Sequence, residues 1–176
     1  AEVVAVFGAD HIYKMNVGQM VDFHHTRKAA VTVAALAVPV EEATSFGVIE
    51  VDDKGRIVGF QEKPANPRPI PGNESHALVS MGNYLFDPEV LEHALLHDAD
   101  DEGSDNDFGR DVLPYLLDRE PMFAYDFRRN RIPSEREFER AYWRDIGSIE
   151  AYYDANMDLR RVQPRLNLYN WDWPIH

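Results

Sequence analysis

The chain has 176 residues, of which 44% are hydrophobic, so it is long enough to bury one substantial core and too short for two full domains. Its 31 acidic and 18 basic side chains give a formal net charge of -13. That balance argues against a nucleic-acid-binding protein, which would need lysine and arginine to neutralise phosphates. The absence of cysteine excludes disulfides, thiolate zinc sites and cysteine nucleophiles.

The first residues have the pattern of a strand, with no basic leader, no cleavage site and no apolar run long enough to span a bilayer. We therefore expect a soluble, cytoplasmic protein with no membrane partner. Because this strand begins abruptly and without an initiator methionine, we also expect the chain to be part of a longer polypeptide.

The opening segment predicts the alternation of an α/β sheet. The run Val3–Phe7 is continuously apolar, as in a strand buried on both faces of a largely parallel sheet. Apolar residues then recur at helical spacing from Asn16, and Thr32–Val38 forms the next strand. His24 and His25, neighbours on this helix, are predicted to be surface residues that do not share a metal.

A hairpin and a proline-rich loop come next. The segment Phe46–Phe60 alternates about a turn that ends at Gly55, which predicts two antiparallel strands. The loop Pro64–Pro71 is too rich in proline for regular structure. The run Ala77–Phe86 predicts a further strand, and Asp87-Pro88 opens a helix with proline in its first turn.

The second half of the chain is more polar than the first. We predict a solvated loop over His97–Asp107, a helix N-terminus at Asp107-Phe108-Gly109, and a last helix capped by Ser148. Met122–Phe127 and Tyr142–Ile146 have the pattern of short strands.

Two aspartates are candidate metal ligands. Asp10 follows the first strand and Asp145 follows a later one, and open α/β sheets place their ligands at the carboxyl ends of strands. One or two carboxylates suffice for Mg²⁺, which keeps several waters and binds substrate phosphates. Taken separately, Asp10 is better interpreted as an N-cap or turn residue and Asp145 as a helix cap.

Glu62, Lys63 and Ser80 are candidate ligands for a phosphorylated substrate. Lys63 stands where the hairpin meets the proline loop, so its ammonium is well placed for a phosphate monoester and Glu62 for hydroxyl groups. An exposed ion pair is the alternative. Ser80 lies close to Gly82 within an apolar strand, and a glycine there marks either a close approach by a ligand or a bulge.

The ordered combination of motifs resembles the ADP-glucose pyrophosphorylases (glucose-1-phosphate adenylyltransferases) of the sugar nucleotidyltransferases, over nearly the whole chain. The motifs that carry this resemblance are Asp10-His11-Ile12-Tyr13-Lys14, Phe46-Gly47-Val48, Phe60-Gln61-Glu62-Lys63-Pro64, Ser80-Met81-Gly82-Asn83-Tyr84, Asp107-Phe108-Gly109, Tyr142-Trp143-Arg144-Asp145-Ile146-Gly147 and Asn170-Trp171-Asp172-Trp173-Pro174-Ile175.

The resemblance implies an α/β fold with a Rossmann-like, mixed and mostly parallel sheet of the nucleotidyltransferase (glycosyltransferase-A-like) type, incomplete at its N-terminal part. Residues 1–165 would be the later part of the catalytic domain, and residues 166–176 a junction toward a C-terminal β-helix domain. The resemblance further implies a homo-oligomer, a tetramer in the full-length family.

The resemblance also implies the chemistry. Asp10 and Asp145 would hold Mg²⁺, and Lys63 would join them as the third catalytic residue. Glu62, Lys63 and Ser80 would hold glucose 1-phosphate, with Gly47 leaving room beside the sugar. The sugar phosphate would attack the α-phosphorus of ATP to form ADP-glucose and pyrophosphate, for glycogen or starch synthesis.

One departure concerns the nucleotide. The glycine-rich nucleotide loop of this family does not occur in the chain, so we expect the isolated chain to lack proficient activity. Two alternatives stay open. One is a nucleotidyltransferase of other nucleotide or sugar specificity, and the other is a non-catalytic regulatory subunit. The retained Asp10, Lys63 and Asp145 argue against the second alternative.

Overall fold

The computed structural model describes residues 2–174, so the parts of the predictions that concern residues 1, 175 and 176 lie outside the described residues. The chain divides into two compact units. Unit 1 comprises the residues up to Phe7 together with Met20–Asp126, and unit 2 comprises Gly8–Gln19 together with the residues from Phe127 onward. The domain boundary predicted after residue 165 stays a prediction.

Unit 1 is built on a six-stranded sheet. Its strands are β1 Val4–Phe7, β3 Val31–Pro39, β4 Gly47–Val51, β5 Ile57–Glu62, β6 His76–Phe86 and β7 Met122–Asp126. Their order is β5-β4-β6-β3-β7, with β1 also paired to β6. Strand β3 pairs along one edge of β6, while β1 and β4 share its other edge.

The α/β class and the mixed sheet are confirmed, but the expectation of a mostly parallel sheet is wrong for the described residues. Only β3 and β7 pair in parallel there, and the other pairings of this sheet are antiparallel. The physical reason lies in how the paired strands are connected along the chain. A short hairpin joins β4 to β5 and forces them antiparallel, whereas the parallel pair β3 and β7 is separated along the chain by three strands and two helices, which is long enough for a crossover. Strand β1 is also only partly buried.

The predicted hairpin turn is confirmed in detail. The Asp52 carboxylate accepts backbone hydrogen bonds from Lys54 at 2.9 Å and Arg56 at 2.8 Å. Gly55 takes a φ of 78°, a left-handed value that favours glycine. These local bonds close the turn and set the register that places Gly47 opposite Glu62.

Three helices accompany this sheet. They are α1 Val17–Arg27, α2 Pro88–Asp100 and α3 Leu113–Leu117, and the division between the two units falls within α1. Buried side chains from α2 and α3 join those of the strands in one core that includes Leu91, Leu113, Leu116, Val33 and Phe86. Burial of such aliphatic and aromatic side chains is the main stabilising term for this unit.

Two local expectations in unit 1 are wrong. Helix α2 continues to Asp100, so the loop predicted from His97 begins too early; the buried Asp98 accepts a hydrogen bond from the Ser104 hydroxyl at 2.6 Å and holds the helix end. His24 is 1% exposed rather than on the surface. It is kept inside by hydrogen bonds to Thr32 and Asp87, whereas His25 is exposed.

Unit 2 contains a two-stranded antiparallel sheet and a helix. Strand β2, His11–Tyr13, pairs with β8, Trp143–Asp145, and helix α4 spans Ile149–Asp158. Ser148 caps α4 as predicted, since its hydroxyl accepts the backbone N–H of Ala151 at 3.1 Å. In residues 2–174, no helix combines the length and the apolar character needed to cross a bilayer.

Candidate functional site

Asp10 and Asp145 are brought together by the pairing of β2 with β8. The strands are in register with His11 opposite Asp145, and the backbone N–H of Ile146 donates to the Asp10 carbonyl at 3.0 Å. These main-chain bonds place the two carboxylates on neighbouring strands although they are far apart in sequence. The structure therefore joins the two predicted metal ligands within unit 2.

A third potential ligand, His11, lies beside these two carboxylates. Ligand atoms of Asp10, His11 and Asp145 all lie within 4.8 Å of one another. The His11 Nε2 atom is 3.5 Å from Asp10 Oδ1, while its Nδ1 atom is buried and lacks a hydrogen-bond partner in the described structure. Sequence reasoning missed His11, although its position directly after Asp10 was a usable signal.

Gly147 leaves the space that the two carboxylates occupy. Its backbone N–H donates to Asp145 Oδ1 at 2.9 Å, which orients that side chain. A Cβ atom on Gly147 would lie 3.2 Å from Asp145 Oδ1 and 3.5 Å from Asp10 Oδ2. Because hard divalent cations prefer carboxylate oxygens and need room for water, this cradle fits such an ion. The Asp10 side chain is 60% exposed, so solvent and substrate can reach it.

Helix α4 secures the strand that carries Asp145. Arg144, the preceding residue, contacts Asp158 Oδ2 at 2.6 Å, and Arg161 contacts the other oxygen of the same carboxylate at 3.0 Å. Burial, followed by the Asp158 charge, raises the pKa of the nearby Tyr142 hydroxyl. Since Asp158 is buried and doubly paired, it fixes β8 against α4.

In unit 1, Glu62 and Lys63 lie at the end of β5. The Lys63 ammonium is 3.3 Å from Glu62 Oε1, and the Lys63 backbone N–H donates to the Phe46 carbonyl at 3.1 Å. Lys63 has a φ of 44°, in the left-handed region that is costly for a residue with a side chain. Such strain is concentrated at functional positions, where the surrounding structure enforces it.

Gly47 lies directly opposite Glu62 in the sheet. A Cβ atom there would lie 2.6 Å from the Phe60 ring and 3.0 Å from Glu62 Oε2. Side chains of the protein itself therefore occupy the space beside this glycine. The role predicted for Gly47 beside the sugar stays a prediction.

Ser80 lies where strand β6 is irregular. Its hydroxyl accepts the backbone N–H of Gly82 at 3.1 Å and donates to Tyr84 Oη at 3.4 Å. Gly82 has a φ of 69°, and the register between β3 and β6 shifts at this point, so the glycine serves a bulge.

Tyr84 and Phe108 accompany these residues and were missed by sequence reasoning. Burial, followed by the charges of Glu62 and Asp107, raises the pKa of Tyr84 in spite of its hydrogen bond with Ser80. The Tyr84 ring stacks on Phe108, with centroids 5.8 Å apart. Tyr84 lies in the motif Ser80-Met81-Gly82-Asn83-Tyr84 and Phe108 in the motif Asp107-Phe108-Gly109, and these motifs could have identified them from the sequence. Asp107 caps the following turn, as predicted, by accepting from Gly109 and Arg110.

The structure thus collects the candidate residues in two sets. Unit 2 holds Asp10 and Asp145, to which it adds His11. Unit 1 holds Glu62 beside Lys63 and Gly47, and the charge of Glu62 acts on Tyr84, the neighbour of Ser80.

Comparison with known proteins gives one family model and a consistent group of relatives. The model described as Nucleotidyl transferase matches residues 1–162. A glucose-1-phosphate adenylyltransferase 1 of Vibrio parahaemolyticus is 53% identical over 173 residues, covering 98% of this chain and 42% of the relative. Glucose-1-phosphate adenylyltransferases of Anaeromyxobacter dehalogenans and Aliivibrio fischeri are 52% and 50% identical, over 97% and 99% of this chain.

The resemblance inferred from the motifs is therefore confirmed. The chain spans 41% to 43% of the length of these relatives.

Proposed function

The chain belongs to the nucleotidyl transferase family, and from that premise we propose that it is part of an enzyme that makes ADP-glucose and pyrophosphate from ATP and glucose 1-phosphate. The observation that carries this proposal is the convergence of Asp10 and Asp145, far apart in sequence, on one carboxylate cradle. The names of relatives that are 50% to 53% identical supply the substrates of the proposal.

We assign Asp10 and Asp145 as the ligands of a divalent cation, which we propose to be Mg²⁺. When bound, such an ion neutralises phosphate charge and polarises the phosphoryl group. The protein contributes two carboxylates whose positions are set by main-chain hydrogen bonds, with Gly147 orienting one of them. The histidine beside them is available as a further ligand or as a hydrogen-bond partner of Asp10.

In unit 1, we assign Lys63 to the phosphate of glucose 1-phosphate and Glu62 to sugar hydroxyls. The Lys63 side chain is 59% exposed and can reach a ligand, while Glu62 is more buried and has one oxygen directed toward the lysine. Carboxylates accept hydrogen bonds from hydroxyls, and an ammonium suits a phosphate monoester. Ser80 and Gly47 complete this proposed set, with Tyr84 as the polar neighbour of Ser80.

In the proposed reaction, an oxygen of the sugar phosphate attacks the α-phosphorus of ATP. The new phosphorus–oxygen bond forms as the bond to the β-phosphate breaks, and pyrophosphate leaves. Such transfers depend on positioning and on the neutralisation of charge rather than on covalent catalysis by the protein. The residues assigned here supply charged contacts for the phosphates and an acceptor for the sugar.

The experiment that tests this function uses the longer polypeptide that contains this chain. Magnesium-dependent pyrophosphate release should require glucose 1-phosphate, and ATP should be preferred over UTP, CTP, GTP and dTTP. A preference for another nucleotide or sugar would support the alternative specificity. Asp145→Asn should abolish turnover, and unchanged turnover would instead favour a non-catalytic regulatory subunit. The 176-residue chain alone should be near background.

We further propose that the longer polypeptide is a cytoplasmic homo-oligomer, a tetramer by resemblance to the family, which binds neither nucleic acid nor membranes. The net charge of -13 supports the absence of a nucleic-acid partner. Sedimentation of the longer polypeptide at several concentrations tests the assembly, and a monomer at every concentration would refute it.

A further inference from the structure

The Glu62 carboxylate lies in a narrow slot between two glycines, Gly47 and Gly109. A Cβ atom on Gly47 would lie 3.0 Å from Glu62 Oε2. A Cβ atom on Gly109 would lie 2.5 Å from the same oxygen and 3.1 Å from the Glu62 Cδ atom. One carboxylate oxygen is therefore bounded on two sides by backbone that has no side chain, and we call this space the two-glycine slot.

The backbone conformation at position 109 does not explain why this residue is a glycine. Its φ lies outside the left-handed region, and it is buried within a short π-helical turn, Phe108–Val112. Alanine is a better helix former than glycine, so a turn of this kind would favour alanine if space allowed. The close approach of Glu62 Oε2 accounts for the absence of a side chain there.

The turn that carries Gly109 is held in place, so it cannot easily retreat. The Gly109 backbone N–H donates to Asp107 Oδ1 at 2.8 Å, and the Arg110 N–H donates to the same oxygen at 2.9 Å. The oxygen of Glu62, by contrast, is the end of a flexible side chain. A methyl group at position 109 would therefore move the carboxylate and leave the backbone where it is.

Moving that carboxylate would change its relation to Lys63. The second oxygen, Glu62 Oε1, lies 3.3 Å from the Lys63 ammonium, and the Glu62 side chain is only 17% exposed. With Oε2 confined to the slot and Oε1 paired with Lys63, the carboxylate has a single orientation. A fixed acceptor can select one arrangement of hydroxyl donors, whereas a mobile one cannot.

We propose that Gly109 is a positioning residue for sugar recognition, because the absence of its side chain holds the Glu62 carboxylate in the orientation that receives the hydroxyls of a hexose 1-phosphate. This inference rests on the proposed function, which assigns Glu62 to the sugar. It adds that residue 109 acts mainly on recognition of the sugar, through Glu62, rather than on binding of the phosphate.

The test compares Gly109→Ala with Gly59→Ala in the longer polypeptide. Gly59 is a matched control, since a Cβ atom there would lie 3.0 Å from the Cδ atom of another glutamate, Glu50, for which we propose no substrate role. Gly109→Ala should raise the KM for glucose 1-phosphate about tenfold to hundredfold, as expected for lost hydrogen bonds to a charged group, with a much smaller change in kcat. Inhibition by inorganic phosphate should change much less than the KM, because the exposed Lys63 ammonium can still bind phosphate, and Gly59→Ala should resemble wild type.

Comparison of the double variant Glu62→Asp/Gly109→Ala with Glu62→Asp keeps the inference testable if Gly109→Ala alone folds poorly. The shorter aspartate vacates the slot, so adding Gly109→Ala to Glu62→Asp should have little further effect on KM. A KM for the double variant that is about tenfold or more above that of Glu62→Asp would overturn the inference, as would an unchanged KM in Gly109→Ala or an equal loss of affinity for inorganic phosphate. Failure of the wild type to use glucose 1-phosphate would instead overturn the proposed function and the inference together.

Discussion

The backbone N–H of Ile146 donates to the carbonyl oxygen of Asp10 at 3.0 Å, so the residue after one carboxylate is bonded to the residue that carries the other. The distance between the two carboxylates is therefore set by the β2–β8 pairing and not by a flexible loop. A preorganised cradle of this kind binds a cation without first having to order its ligands.

The first prediction concerns the metal. Asp145→Asn keeps the shape of the side chain, and its amide oxygen can still accept from the Gly147 N–H, but it removes the charge. We expect the affinity of the chain for Mn²⁺, used as a paramagnetic probe, to fall about 100-fold or more, since loss of a ligand exceeds the cost of losing its supporting contacts. Electron paramagnetic resonance of free Mn²⁺ measures this affinity.

The control for that experiment is Asp154→Asn. Asp154 is an exposed aspartate on α4, so the substitution changes the net charge equally without touching the cradle. Equal losses of affinity in the two variants would contradict the assignment of Asp145 and would indicate a general charge effect.

The second prediction separates strain from binding at Lys63. Both Lys63→Gly and Lys63→Ala remove the ammonium, so both should abolish binding of glucose 1-phosphate. Because Lys63 has a left-handed backbone, Lys63→Gly should be more stable than Lys63→Ala by roughly 0.5–1 kcal/mol, the relief of strain less the entropy cost of glycine. Urea unfolding measures the stabilities, and ligand-observed nuclear magnetic resonance measures the binding.

Lys28 provides the matched control, because it is exposed and its φ is 50°. Lys28→Gly should likewise be more stable than Lys28→Ala while both leave sugar-phosphate binding intact. Retention of binding by Lys63→Gly would refute the role of the ammonium.

The third prediction concerns the buried histidine of unit 1. His24 is 1% exposed, with Nδ1 at 2.8 Å from the Thr32 hydroxyl and Nε2 at 3.2 Å from Asp87 Oδ1. His24→Ala leaves a cavity and removes a partner from the buried Thr32, so we expect a loss of about 2–4 kcal/mol in the free energy of unfolding. The exposed His25→Ala should change it by less than about 0.5 kcal/mol. Similar losses for the two variants in urea unfolding would contradict the buried network.

The fourth prediction is a pH dependence in unit 2. Burial, followed by the Glu139 carboxylate, raises the pKa of Glu135 above its ordinary 4.5. Between pH 4.5 and the raised pKa, the folded state holds a proton that the unfolded state has released, so the contribution of Glu135 to stability falls as pH rises through that window.

Glu135→Gln removes this titration. The variant should be more stable than wild type at pH 7 by a few tenths of a kcal/mol, because the group is partly exposed and well screened. The difference should shrink as pH falls toward 4.5 and vanish only well below it, where Glu135 is protonated in both states. Urea unfolding between pH 4.5 and 7 measures it, with the exposed Glu137→Gln as control. A difference that does not vary with pH would refute the assignment.

Local patterns identified most of the elements. The hairpin about Gly55, the proline that opens α2 and the Ser148 cap act within a few residues, so their chemistry is legible in the sequence. The strand that ends at Phe86 was found in the same way, from its apolar run. The motifs around the candidate residues were also sufficient to identify the resemblance to the nucleotidyltransferase family.

The pairing of strands that are far apart in sequence could not be predicted from local patterns. The sheet was expected to be mostly parallel because strands alternate with helices along the chain, yet β6 pairs antiparallel with β1, β3 and β4. The burial of His24 was missed for a related reason, since its partners Thr32 and Asp87 belong to other parts of the chain.

By itself, the sequence determined which residues could carry the chemistry, because carboxylates, a lysine and glycines in ordered motifs have limited uses. Only the tertiary structure decided which of them meet. It joined Asp10 to Asp145 and His11 through strand pairing, and it placed Gly109 against Glu62 at the end of a different element. Such contacts depend on distances between residues far apart in sequence, which no local propensity specifies and which arise only when the strands and turns pack.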